Sequence, residues 1–138
     1  MPIRDQAPDP SGIQPELWVE EAGSAVAFYE AAFDAVVVHR VGEGDDIVAQ
    51  LVVGAAAFWV ASADASIKRF SPRAIGGTTS RTLLVVDDPG AVVAQAAGAA
   101  ATVTAQVGDE HGWRLGRIID PFGHEWEIGT PLGEWPPP

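Results

Sequence analysis

An internal duplication constrains this chain more than any other feature. The order β-α-β-β-β reads twice, over residues 13–62 and again over 80–130. Glu16 aligns with Arg81 at an offset of 65, and Val53 with Ile119 at an offset of 66. A period this long, present only twice, marks a duplicated module rather than a solenoid. One such unit has an open sheet edge and a half-covered face. The expected fold class is therefore α+β: two tandem β-α-β-β-β modules forming a curved eight-stranded mixed sheet with a concave cavity. A concave face of that kind suits a small ligand. Residues 1–12 read as a flexible lead-in, 63–79 as the connector between modules, and 131–138 as a proline-rich tail.

Local patterns supply the elements. Glu16-Leu17-Trp18-Val19 alternates as a short strand. Val26, Tyr29 and Phe33 then recur at helical spacing, so a helix is expected over 25–33 with Ser24 as its N-cap. Strands follow over 35–41, 47–53 and 56–61. In the second module Arg81–Val86 is an apolar strand, and Asp88-Pro89 has the chemistry of a helix start. That helix runs to about Ala97, where Gly98 can end it. Strands over 101–107, 113–119 and 125–129 complete the order. The connector holds Lys68, Arg69 and Arg73. It reads either as a plain linker or as a loop covering a ligand.

Composition narrows the partners. Eight basic and nineteen acidic residues among 138 give a net charge of −11. That charge disfavours nucleic acid and anionic membrane surfaces. The chain has no cysteine, which removes disulfides, thiolate catalysis and cysteine-ligated metals. Its N-terminal residues carry no apolar run and no stretch has the length of a membrane span, so a cytoplasmic location is expected.

Three motifs then point to a family. Ala27-Phe28-Tyr29 is followed by Phe33, Val86-Asp87-Asp88 opens the second helix, and Asp120-Pro121-Phe122-Gly123-His124 leads to Trp126 before the last strand. Together they resemble the glyoxalase / bleomycin-resistance / extradiol-dioxygenase superfamily, with its vicinal oxygen chelate fold, and its PhnB-like branch most of all. The resemblance spans residues 13–130. It implies paired modules around a cavity, commonly in a homodimer. In metal-using members it also implies ligands from the first and last strand of each module, usually His, Gln or Glu.

Read at those four places, this chain offers Glu16, Phe58, Arg81 and Glu127. Glu127 stands seven residues after Asp120, where the family's final carboxylate ligand lies. Phenylalanine cannot bind a metal, and arginine is a permanent cation. No cofactor is therefore expected, and a divalent metal is disfavoured. Arg81 is expected where a metal would sit, pairing with Glu16 and Glu127, either as part of a binding site or as a structural ion pair. Trp18, on the Glu16 face, is read as a ligand-stacking platform or as core or dimer packing. Trp126 and Ile128 face away from Glu125 and Glu127, into the core. His39 falls at a strand edge, His111 in a turn, and His124 where it can brace the turn.

Three functions remain open. The first is metal-free binding of a small molecule, cationic or aromatic in character, by Glu16, Trp18, Phe58, Arg81 and Glu127. The second is a divalent-metal-dependent lyase, isomerase or dioxygenase. The third is a metal-free enzyme with Glu127 or Glu16 as general base.

Overall fold

The computed structural model describes residues 10–138; residues 1–9, most of the expected lead-in, lie outside the described residues. The two modules have the same element order. Module one comprises β1 (Glu16–Val19), α1 (Ala22–Phe33), β2 (Val36–Glu43), β3 (Asp46–Val53) and β4 (Ala56–Ser62). The connector holds a 3-10 turn at Ala65–Ile67 and the short helix α2 (Pro72–Ile75). Module two comprises β5 (Thr82–Val85), α3 (Pro89–Gly98), β6 (Thr102–Glu110), β7 (Trp113–Ile119) and β8 (Glu125–Pro131). The fold is α+β, with its eight strands divided equally between two mixed sheets ordered β1-β4-β3-β2 and β5-β8-β7-β6. In each sheet the first strand pairs in parallel with the last, and hairpins join the other strands.

Helix starts follow local chemistry in one module and tertiary burial in the other. α3 begins as its sequence predicts: the Asp88 carboxylate accepts from Ala91 N at 3.1 Å, with Pro89 in the first turn. α1 starts earlier than Ser24 predicts, and Ser24 lies inside it. Its N-cap is Glu21, which makes no side-chain capping bond. Burial explains the extra turn, because Ala22 is fully enclosed and extending the helix removes that methyl from water. α1 ends at Asp34, which adopts the left-handed conformation at φ 55° while its N–H bonds Tyr29 O.

The core forms where α1 meets both modules. Tyr29 packs edge-on against Phe58 of β4 at 5.3 Å and tilted against Trp126 of β8 at 5.5 Å. Phe33 and Phe58 also touch Trp126. Leu17, Val19, Leu51, Val60, Ile118 and Ile128 complete a continuous apolar cluster. Each sheet thus spends one face on the shared core. Its other face carries Glu16 and Trp18 in β1, Trp59 in β4, and Glu125 and Glu127 in β8, all less buried than their neighbours.

One carboxylate ties the modules together. Asp120, almost fully buried, accepts from the Tyr29 hydroxyl across the module boundary. It also accepts from Trp126 Nε1 at 3.0 Å, Phe122 N at 2.9 Å and His124 N at 3.0 Å. A buried charge is tolerable only with such a set of donors. Burial, followed by the adjacent Asp120 charge, raises the Tyr29 pKa well above its ordinary value.

Tyr29→Phe is expected to cost about 1–3 kcal/mol of unfolding free energy, because it removes one donor from a buried carboxylate. Urea denaturation measures this. Since the folded pKa lies above the unfolded one, Tyr29's proton-linked stability is intact below about pH 10 and declines as pH rises beyond it. Tyr29 is the only tyrosine, so tyrosinate absorbance should appear only as the native protein unfolds.

Candidate functional site

The outer faces of the two sheets carry different chemistry. Across sheet one, backbone register aligns Glu16 with Trp59, Trp59 with Gln50, and Gln50 with His39. Gln14 fastens this row: its Oε1 accepts from Trp59 Nε1 at 2.8 Å and from Gln50 Nε2 at 3.0 Å. His39 meets the Trp59 ring edge-on at 6.3 Å. The result is an aromatic and amide surface with one carboxylate at its edge.

Sheet two carries a ladder of alternating charge. Arg81 Nη2 lies 3.3 Å from Glu127 Oε2, and Arg117 Nε donates to the same oxygen at 2.9 Å. Arg117 Nη2 lies 3.6 Å from Glu110 Oε1. Residues from β8, β7 and β6, with Arg81 just before β5, thus span the whole sheet. The Arg117 pKa is raised, chiefly by its hydrogen bond to Glu127.

Two cavities flank these faces. One, of about 350 Å³, lies between β1 and the connector and is lined by Glu16, Trp18, Phe70, Ile75, Thr78 and His124 among others. The other, of about 370 Å³, is lined by Ile13, Pro15, Ala57, Phe58, Leu83 and Trp126 among others. The connector is held against the sheets. Ser71, fully buried, caps α2 through Ala74 N and donates to the Glu20 carboxylate. Arg73 reaches Pro121 O at 2.8 Å, and Thr78 Oγ1 donates to Glu125 at 2.9 Å. At Gly123, where φ is +94°, an added Cβ would lie 2.8 Å from Pro72 Cβ. Glycine therefore serves both the turn and the seating of α2.

The five expected site residues do not converge on one centre. Glu16 and Trp18 share the first cavity, and Arg81 and Glu127 pair as expected. Among the described residues, Arg81 makes no ion pair with Glu16. Phe58 requires a correction. It is only 5% exposed and faces Tyr29 and Trp126 in the core, so it does not share the Glu127 face. Parity decides this: alternate residues of a strand point to opposite sides, and Trp59 takes the outward position. His124 braces β1 rather than its own turn, with Nε2 3.0 Å from Trp18 O. His111 is exposed, in a left-handed turn. Trp18 Nε1 is buried with no acceptor among the described residues. The sequence reading missed Arg117, Glu110, Trp59, Gln50 and Gln14. A register count through the β7–β8 turn would have found Arg117 opposite Glu127.

Comparison with known proteins places this geometry. Residues 13–128 match the Glyoxalase/Bleomycin resistance protein/Dioxygenase superfamily. The chain belongs to that superfamily. An uncharacterized protein of Mycobacterium bovis is 36% identical over 128 residues, which is 88% of this chain and 84% of that protein. A glyoxalase/bleomycin resistance protein/dioxygenase family enzyme from Burkholderia phytofirmans superposes with a TM-score of 0.70 at 18% identity, covering 85% of this chain and 95% of that one. The fosfomycin resistance protein FosX from Listeria monocytogenes superposes with a TM-score of 0.66 at 12% identity, covering 91% and 95%. These two structures share the fold.

The divalent ion implied by the resemblance does not fit the residues of this superfamily member. Glu127 already serves two guanidinium groups through one oxygen. A cation placed there would face Arg81 and Arg117 at close range, and Phe58 and Trp59 offer no ligand atom.

The corrected register is testable by stability. Phe58→Ala should cost about 3–5 kcal/mol, as for a buried aromatic. Trp59→Ala should cost clearly less. Comparable losses in paired denaturation curves would restore Phe58 to the outer face.

Proposed function

We propose that this protein binds a small, flat organic molecule on the outer faces of its sheets without a catalytic metal. It would act as a glyoxalase/bleomycin-resistance-like binding protein of the PhnB-like branch, in the cytoplasm. The observation that carries this reading is the commitment of Glu127 to Arg81 and Arg117, which spends the one family-type ligand in module two. Trp18 and Trp59 supply ring surfaces for stacking, and the cavity beside Trp18 is of a size that suits a small ligand.

A homodimer is part of the proposal. The outer faces and edges leave Val36, Val41, Leu83 and Val85 between 44% and 58% exposed. A second copy covering these side chains would turn two open faces into an enclosed cup. A metal-free enzyme is the second reading. It is favoured by Glu16, which lines the cavity beside Trp18 free of any ion pair among the described residues and so open to serve as a base. The same acid keeps a cationic substituent within the range of acceptable ligands.

A thermal-shift screen of aromatic small molecules, run with and without chelator, tests the reading. Hits should raise the melting temperature equally in both arms, and Trp18→Ala should weaken them on the order of tenfold by loss of stacking surface. Stabilisation that requires an added divalent ion would defeat the metal-free assignment. Sedimentation equilibrium tests the dimer, and a monomer at micromolar concentration would defeat that part.

A further inference from the structure

The charge ladder on sheet two is not symmetrical in what it shows to solvent. The Glu127 side chain is 15% exposed, whereas Arg81 is 43% exposed and Arg117 32%. The acid lies beneath, and the guanidinium groups lie above it. Arg81 spends a single nitrogen on Glu127, at 3.3 Å. A guanidinium has five N–H donors in a planar fork, so most of those on Arg81 have no acceptor in this ion pair. Glu110, the other acid of the ladder, stands at its far end beyond Arg117. The acid beneath also holds the two cations in place, which lowers the entropic cost of meeting a ligand. Ser80, the residue before Arg81, lines the cavity containing Trp18.

We infer that the small molecule bound here carries an oxyanion, a carboxylate or phosphonate, received by Arg81 and Arg117 with Glu127 as the positioning residue beneath them. This rests on the small-molecule reading and deepens it by fixing the ligand's charge. It reverses the preference that net charge alone suggests. A total of −11 steers cations from a distance, but salt screens that field beyond about 8–10 Å, and the groups in contact decide binding. Glu16, the acid lining the cavity, lies outside ion-pairing distance of Arg81 among the described residues.

The test uses three probes with one ring system: naphthalene-2-carboxylate, its methyl ester, and 2-naphthylmethylammonium. Calorimetric titration of the full chain at millimolar probe should rank the carboxylate tightest. Arg81→Gln should weaken the carboxylate on the order of tenfold, the value of a charge-assisted hydrogen bond, and leave the ester unchanged. Glu127→Gln loosens the hold on both guanidinium groups and should weaken the carboxylate several-fold while leaving the ester unchanged; undiminished carboxylate binding would overturn the positioning role of Glu127. Unchanged melting temperatures in the Arg81→Gln variant confirm that its effect is local. Equal binding of carboxylate and ester, or tighter binding of the ammonium, overturns the oxyanion and leaves the small-molecule reading standing. Failure of all three probes to bind overturns both.

Discussion

The structure depends on one buried carboxylate. Asp120 belongs to the turn between β7 and β8, yet its strongest structural consequence lies in the other module, through the hydroxyl of Tyr29 on α1. Each of its other donors belongs to module two: the Trp126 indole and the backbone of Phe122 and His124. The carboxylate therefore fixes the turn, orients the largest core side chain and docks the first module against the second. Without it, the two sheets would keep their apolar contacts and the less buried His124–Trp18 bond but lose the fully buried bond that joins α1 to module two.

That arrangement decides which side chains are free to act. With α1 packed against both sheets, Phe58 and Trp126 go into the core, and the other faces stay available. The same β-α-β-β-β unit has then been put to two uses. Module one shows indole, imidazole and amide groups in register, whereas module two shows alternating acid and base. The connector fits α2 against Gly123 and binds Thr78 to Glu125, closing one cavity wall across the module boundary.

Much of this was legible in the sequence, and the gaps have physical causes. Duplication, element order and the Asp88-Pro89 helix start were local signals and survived into the structure. The Arg81–Glu127 pair followed from the first-strand and last-strand ligand positions that the resemblance implies for module two. The start of α1 was set by burial of Ala22 rather than by Ser24, and no local pattern encodes that. Phe58 was assigned to the wrong face because β4 is apolar almost throughout, so alternation gives no phase. Arg117 and Gln14 act through partners on other strands. Their roles emerge only when register is known.

The divergence of the two rows has a consequence for a molecule enclosed by the proposed dimer. Identical walls would accept a guest in either of two opposite poses with equal ease. Here Trp59 and His39 occupy one wall, and Arg117 and Glu127 the other. A guest with an apolar end and a charged end would then have a single energetically favoured direction, even in an assembly built from repeated parts. Duplication supplied two like sheets, and unequal substitution in the two copies gave their outer faces different chemistry.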